Sequence, residues 1–130
     1  MRDTNAPQAE ETQPDYDHVL RSNLERVFNE RDAGRRAAAV AELFCADPVM
    51  YEPDAVVKGR DAICAVAGTL LDRFAPDFAF VPEAPGVGHH GMASLRWRAG
   101  PKGRAPVVTG IDTAEIRDGR IARLWVLLDR

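Results

Sequence analysis

Residues 107–129 carry the alternation of apolar and polar side chains that is typical of two consecutive β-strands. The pattern is interrupted once, at Asp118-Gly119, and this dipeptide favours the tight turn of a two-residue hairpin. Successive strand residues point to opposite faces. In the second strand one face is wholly apolar and consists of Ala122, Leu124, Val126 and Leu128. The sequence therefore predicts an antiparallel hairpin, 106–117 and 120–128, with one face buried.

One carboxylic acid lies in the core-facing row of the first of these strands. That row consists of Val108, Gly110, Asp112, Ala114 and Ile116. An acid in such a row is uncommon unless it has a partner or a chemical role, because burying a charge costs free energy. Apolar walls would raise the pKa of Asp112 and suit it to general acid or base catalysis. The alternative is a structural acid, hydrogen-bonded to a tyrosine or a backbone group, or solvated at the mouth of a cavity.

Helical patterns are gathered in the first part of the chain, and most strand patterns follow them. Apolar residues recur at helical spacing in residues 15–29, 35–44 and 58–74. Strand patterns before the terminal hairpin cover residues 49–52, 78–81 and 92–99. This order is typical of an α+β domain in which N-terminal helices pack on one face of a strongly bent antiparallel sheet. We expect a single domain of this kind over residues 15–130, after a polar, disordered tail at 1–14.

The composition argues against several classes of function. The chain has 130 residues and a net charge of −3, and its 17 basic residues are scattered, so we expect no nucleic-acid partner. No apolar run approaches the roughly 20 residues that a membrane span needs, and we expect no membrane partner. Residues 1–14 lack the apolar core of a signal peptide. Cys45 and Cys64, both placed in predicted helices, are interpreted as free thiols of a cytoplasmic protein.

Other residues suggest an apolar ligand site without a metal. His89 and His90 lie between two glycines, which is typical of an exposed hairpin turn. No second cluster of His or Cys residues has the spacing of metal ligands, so no metal is predicted. The residues that would line a cavity for a small apolar molecule, or else fill the core, are Tyr16, Leu24, Phe28, Met50, Phe74, Phe78, Phe80, Trp97 and Leu124.

The second face of the final strand carries two large apolar residues, Trp125 and Leu127. An apolar surface on the outer side of a sheet is usually covered by another part of the structure. The simplest cover is a second copy of the chain, so the pattern predicts a homodimer formed through this outer face.

Several short motifs, taken in order along the chain, resemble a known family. They are Asn29-Glu30-Arg31-Asp32, Leu43-Phe44 with Asp47-Pro48, Tyr51-Glu52-Pro53, residues 58–63, Arg96-Trp97, Gly110-Ile111-Asp112 and residues 118–121. From about Tyr16 to Asp129 the sequence resembles the nuclear transport factor 2-like superfamily, and within it the SnoaL-like and ketosteroid-isomerase-like branch. The resemblance implies a cystatin-like conical α+β barrel, a deep apolar pocket, no cofactor, and pairing of members as dimers.

The resemblance also implies roles for two acids. Glu52 matches the carboxylate base that moves a proton in the isomerases, and Asp112 matches a protonated acid that donates to a developing oxyanion. In the SnoaL-like cyclases, an aspartate in a similar Gly-x-Asp setting is the proposed acid–base residue. The tyrosine on the first helix of the isomerases corresponds to Leu24 in this chain, so steroid isomerase activity is not expected.

Two hypotheses from different classes follow. The first is a cofactor-free enzyme that carries out isomerase, cyclase, dehydratase or hydrolase chemistry on a small, largely apolar carbonyl compound, with Asp112 and Glu52 as its acids. The second is a non-catalytic ligand-binding or dimerisation module of the same fold. An open cavity reached by both acids would favour the enzyme, whereas a cavity filled by Phe28, Phe78 and Trp97 would favour the module.

Overall fold

The computed structural model describes residues 13–129, in which two helical segments come first, a pair of strands precedes the third helix, and five strands follow it. The helical segments are α1 (Tyr16–Asn23), a π-helical turn that continues it (Leu24–Phe28), α2 (Ala33–Leu43) and α3 (Arg60–Asp72). The Asp15 carboxylate caps α1 by accepting a hydrogen bond from the backbone N–H of His18. All but the last two residues of the predicted tail at 1–14 lie outside the described residues. Within residues 13–129 no helix has the length and apolar character needed to cross a membrane.

Seven strands form one curved sheet behind the helices. They are β1 (Phe44–Glu52), β2 (Ala55–Lys58), β3 (Phe78–Pro82), β4 (Val87–His89), β5 (Met92–Pro101), β6 (Val108–Arg117) and β7 (Arg120–Leu128). The order across the sheet is β2-β1-β7-β6-β5-β3, and β4 also pairs with β5. The predicted α+β class is confirmed. The sheet has two free ends, however, so the barrel is not closed.

The sheet is mixed rather than purely antiparallel, because β1 runs parallel to β7. Met50 pairs with Leu124, and Tyr51 pairs with Trp125. The other strand pairs are antiparallel, as predicted. The turn at Asp118-Gly119 determines the direction of β7 relative to β6. No local signal determines how β1, which follows a helix, aligns with β7, and this is why the pattern missed the parallel pair.

Several local assignments also differ from the sequence predictions. β1 begins at Phe44 instead of residue 49, so Cys45 lies in a strand and not in a helix. The strands β2 and β4 were not predicted, and β2 forms a hairpin with β1. Cys45 and Cys64 are both free thiols. His90 and Gly91, at φ 50° and 85°, make the turn between β4 and β5, and both histidines are exposed there, as expected.

The inner face of the sheet has the residues that the two-residue alternation predicts, with one exception. Ala114, Ile116 and Leu124 are buried on this face. Ile121 is also fully buried, although the alternation places it on the outer face. The cause is a β-bulge, since Glu115 pairs with Arg123 while Ile116 pairs with Ile121. The residue between them, Ala122, is the additional one, and the bulge turns both Ile121 and Ala122 toward the core.

The segment after the π-helical turn attaches the helices to the edge of the sheet. The side-chain amide of Asn29 donates to the Phe80 carbonyl and accepts from the Phe80 N–H, both at 2.8 Å. The Arg31 guanidinium donates to the carbonyl oxygens of Leu71 and Ala75, at and just beyond the end of α3. The Asn29-Glu30-Arg31-Asp32 motif therefore has a structural role, and it holds the elements that form the walls of the cavity described next.

Candidate active site

Asp112 lies in the middle of β6 on the inner face of the sheet, and its residue surface is only 3% exposed. The indole Nε1–H of Trp97 donates a hydrogen bond of 2.9 Å to Asp112 Oδ1. Burial raises the pKa of the Asp112 carboxyl to about 7, because the charged form is poorly solvated there, and the bond from Trp97 offsets part of this rise. At neutral pH the group is therefore divided between its acid and its base form.

Gly110 leaves the space through which Trp97 reaches Asp112. In the register of β5 and β6, Trp97 pairs with Gly110 and Leu95 pairs with Asp112, so the indole must extend along β6 by two residues. A Cβ atom at residue 110 would lie 2.6 Å from Trp97 Cζ2 and 2.5 Å from the Leu127 carbonyl oxygen. The Gly-Ile-Asp motif thus combines an acid with the only residue type that admits its hydrogen-bond donor.

A cavity of about 170 Å³ adjoins Asp112. It is lined by Leu24, Phe28, Glu52, Pro53, Leu70, Phe74, Phe78, Phe80, Trp97, Val108, Asp112, Val126 and Leu128. Some of these lining side chains are buried, among them Leu24 and Trp97. Others are partly exposed, among them Leu70, Phe74 and Leu128. The side chains of the core therefore leave a space beside Asp112 and do not fill it.

Glu52 is the second acid of the cavity. It is the last residue of β1, next to Pro53, and is partly buried. Partial burial raises the pKa of its carboxyl, but less than full burial raises that of Asp112. Among the described lining residues, Glu52 and Asp112 are the only two with a carboxylic acid side chain. The structure thus places both acids on one cavity in different environments.

Five aromatic rings form a continuous wall of this cavity. The centroids of Phe74 and Phe78 are 3.9 Å apart in a stacked pair. Phe80 lies edge-to-face against Phe78 at 5.8 Å, against Phe28 at 6.1 Å and against Trp97 at 5.3 Å. Stacked and edge-to-face contacts of this kind stabilise the packing of the rings against one another along the cavity.

The structure brings together most, but not all, of the predicted ligand-lining residues. Those on the cavity are Leu24, Phe28, Phe74, Phe78, Phe80 and Trp97. Tyr16, Met50 and Leu124 are not on it. The Tyr16 hydroxyl donates to Gln13 Oε1 and accepts from the Gly91 N–H, at the opposite end of α1. Met50 and Leu124 pair with each other across β1 and β7 and are fully enclosed in the core.

Further lining residues were missed at the sequence level. These are Pro53, Leu70, Val108, Val126 and Leu128. The alternation places Val108, Val126 and Leu128 in core-facing rows, so a signal for their orientation was present. The alternation does not show which part of the inner face borders an open space, because that depends on how the helices cover the sheet.

The paired histidines lie elsewhere in the structure. Their Nδ1 atoms are 2.9 Å apart at the tip of the β4–β5 hairpin, and neither residue lines the cavity. Among residues 13–129, no group of three or more His, Cys, Asp or Glu side chains is arranged to hold a metal ion.

Comparison with solved structures identifies the same architecture in several bacterial proteins. A candidate isomerase of the SnoaL-like family from Agrobacterium tumefaciens is 23% identical, with a TM-score of 0.81 over 89% of this chain and 98% of that chain. A candidate polyketide cyclase from Sinorhizobium meliloti is 20% identical, with a TM-score of 0.65 over 92% of this chain and 99% of that chain. A protein with a cystatin-like fold from Methylobium petroleophilum is 18% identical, with a TM-score of 0.70 over 88% of this chain and 76% of that chain.

At these identities the likeness establishes a common fold and not a common activity. No curated protein matches the chain. A sequence profile supplies the classification. The profile of the SnoaL-like domain matches residues 23–124, which include both acids of the cavity and most of the chain. The protein therefore belongs to the SnoaL-like domain family, as its resemblance to that branch of the nuclear transport factor 2-like superfamily predicts.

Proposed function

We propose that this protein is a cofactor-free enzyme that enolises a small, neutral carbonyl compound by acid–base catalysis. The observation that carries the proposal is the position of Asp112, a nearly fully buried carboxyl group on an apolar cavity, with a pKa raised to about 7. A group with this pKa can both donate and accept a proton at neutral pH. The position of Glu52 on the same cavity supplies a second, more exposed carboxylate.

The different environments of the two acids suggest different roles. Asp112 is the more deeply buried, so it is the acid that stays protonated to the higher pH and donates to the carbonyl oxygen. Glu52, the more exposed of the two, acts as the base and accepts the proton from the carbon next to the carbonyl group. The C–H electron pair then forms the C=C bond of an enol, and the carbonyl π pair moves to oxygen, which takes the proton of Asp112. The reverse transfers restore both acids.

The dimensions and lining of the cavity support a small substrate. A cavity of about 150 Å³ accommodates a benzene molecule, so the 170 Å³ here suits a compound with a single ring. Eleven of the thirteen lining residues are apolar or aromatic, which favours a substrate without net charge. Enolisation is the first step shared by isomerase, cyclase and some dehydratase reactions, so the proposal does not depend on which product is formed.

A specific observation favours the alternative of a non-catalytic binding module. Leu24 lines the cavity at the position that the family resemblance assigns to the tyrosine of the isomerases. A cavity without that hydroxyl has fewer groups to stabilise an oxyanion. Under this alternative the same small apolar ligands bind, but no proton is transferred.

Hydrogen–deuterium exchange of cyclohexanone in D₂O, followed by proton NMR, separates the two functions. We expect the protein to accelerate the exchange of the protons next to the carbonyl group. Asp112→Asn and Glu52→Gln should each lower the rate by about 100-fold or more, the usual contribution of a positioned acid or base. The exchange rate of the wild-type protein should fall as the pH rises through about 7, because Asp112 loses its proton there.

Matched controls are available on the surface. Asp118→Asn, in the β6–β7 turn, and Glu115→Gln, on the outer face, make the same chemical changes away from the cavity and should leave the rate unchanged. If cyclohexanone raises the melting temperature of the wild-type protein but its protons do not exchange, the protein is a binding module. If both acid variants exchange at the wild-type rate, neither acid catalyses the reaction.

A further inference from the structure

The hydrogen bond between Trp97 and Asp112 distinguishes the two oxygens of a buried carboxyl group. Oδ1 accepts the indole N–H at 2.9 Å. Asp112 lines the cavity, and no described residue donates to Oδ2. We propose that Trp97 is a positioning residue, which keeps the Asp112 proton on Oδ2 and thus directs it toward the ligand. This extends the proposed role of Asp112 as the proton donor.

The preference follows from the chemistry of a neutral carboxylic acid. Such an acid has one carbonyl oxygen and one hydroxyl oxygen, and the carbonyl oxygen is the better hydrogen-bond acceptor. An N–H group that is held against Oδ1 therefore favours the form in which Oδ1 is the carbonyl oxygen and Oδ2 carries the proton. The same bond limits rotation of the carboxyl group about its χ2 angle, so the O–H direction is maintained.

Most of the residues around Asp112 are apolar and cannot form a hydrogen bond that competes with the one from Trp97. Its neighbours across the sheet are Leu95 on β5 and Val126 on β7. The groups that reach the cavity from the π-helical turn, α3 and β3 are Leu24, Phe28, Leu70, Phe78 and Phe80. Glu52 on β1 is the one other titratable group among the described lining residues. Trp97 is thus the polar contact of Asp112 within the described part of the chain.

Removal of the bond should change the titration of Asp112 in a known direction. The bond from Trp97 stabilises the ionised carboxylate and so lowers its pKa. In Trp97→Phe we expect the midpoint of the Asp112 titration to rise by about one pH unit or more. A hydrogen bond to a charged group contributes more free energy than one between neutral groups. The measurement is a pH titration by carboxyl ¹³C NMR of protein labelled at aspartate, in which Asp112→Asn identifies the resonance. Trp125→Phe, the same substitution on the outer face, should leave the midpoint unchanged.

Trp97 fluorescence provides an independent readout. In Trp125→Phe the remaining tryptophan is Trp97, and its emission should change with pH at the midpoint measured for Asp112. The change should be absent from the Trp125→Phe/Asp112→Asn double variant. An unchanged Asp112 midpoint in Trp97→Phe, or Trp97 emission that Asp112→Asn does not affect, would overturn the proposal.

Gly110→Ala tests the same bond without removing the indole. The added Cβ would lie 2.6 Å from Trp97 Cζ2 and 2.5 Å from the Leu127 carbonyl oxygen, so both the indole ring and the adjoining β7 backbone must shift. In the folded variant the bond to Asp112 is weakened, and the midpoint of the Asp112 titration should rise as in Trp97→Phe. If this variant fails to fold, the Trp97→Phe titration and the fluorescence measurement decide the question. All of these measurements are made without substrate. Failure of the carbonyl exchange assay would refute the proposed activity, whereas failure here would refute the role of Trp97 alone.

Discussion

At the scale of single residues, the burial of Asp112 links proton binding to the stability of the fold. The carboxyl has a pKa of about 7 in the folded chain and an ordinary value of 3.8. Between these two pH values the folded chain therefore holds one proton that the unfolded chain has released. The free energy of unfolding must then decrease as the pH rises from about 4 to 7, and this contribution becomes constant above 7.

Asp112→Asn should remove this dependence, because the amide does not titrate and keeps an oxygen that can accept from Trp97. Relative to the wild type, we expect the variant to gain stability progressively from pH 4 to pH 7, up to on the order of 4 kcal/mol. Urea denaturation at a series of pH values measures the difference, with Asp118→Asn as the exposed control. A constant difference between variant and wild type across this pH range would show that Asp112 is ionised in the folded protein.

At the scale of secondary-structure elements, the edge strand β3 depends on a contact from the helical layer. β3 is at one end of the sheet, so one side of it lacks a strand neighbour. The Asn29 amide bonds to both backbone groups of Phe80 on β3 and takes the place of such a neighbour at that residue. Because Phe78 and Phe80 belong to β3, this contact also keeps the aromatic wall of the cavity in place.

Asn29→Ala should therefore weaken both the fold and the cavity. The loss of two hydrogen bonds, which leaves partly buried backbone groups unpaired, should lower the free energy of unfolding by about 1–3 kcal/mol. Amide hydrogen exchange should accelerate at Phe80. Glu25→Ala, an exposed change in the π-helical turn that precedes Asn29, should alter stability by no more than about 0.5 kcal/mol. Equal effects of the two substitutions would contradict the assigned role of Asn29.

At the scale of the whole molecule, the outer face of the sheet has large apolar side chains that are exposed or partly exposed. Trp125 stacks on Tyr51 with their ring centroids 5.1 Å apart, and Leu127 on the same strand is 49% exposed. Arg123 and Glu115 also lie on this face, with Arg123 Nε 3.7 Å from Glu115 Oε1, so the face combines apolar side chains with charges of both signs. We propose that two copies of the chain pair through this face.

Leu127→Arg tests the pairing with little change to the isolated fold, because the side chain is already half exposed. A charge at the centre of an apolar contact should weaken self-association, and sedimentation velocity measures the shift from dimer to monomer. Val107→Arg, an exposed apolar residue in the loop before β6, is the matched control and should leave the assembly unchanged. A wild-type chain that sediments as a monomer would rule out the pairing.

The sequence determined those features that depend on neighbouring residues. Side-chain alternation identified the inner face of β6 and therefore the burial of Asp112, and the Asp118-Gly119 turn established the hairpin. Motifs in order along the chain indicated the family. The bulge at Ala122 was beyond this kind of inference, because a bulge changes the alternation only when two strands are paired.

Only the tertiary structure decided which residues meet. The parallel pairing of β1 with β7, the β5–β6 register and the helical cover of the sheet together place Glu52, Trp97 and Asp112 on one cavity. The same packing encloses Met50 in the core and leaves Leu70 partly exposed on the cavity. The physical reason is that alternation is a property of one strand, whereas a register or a cavity arises from contacts between segments that are distant in sequence.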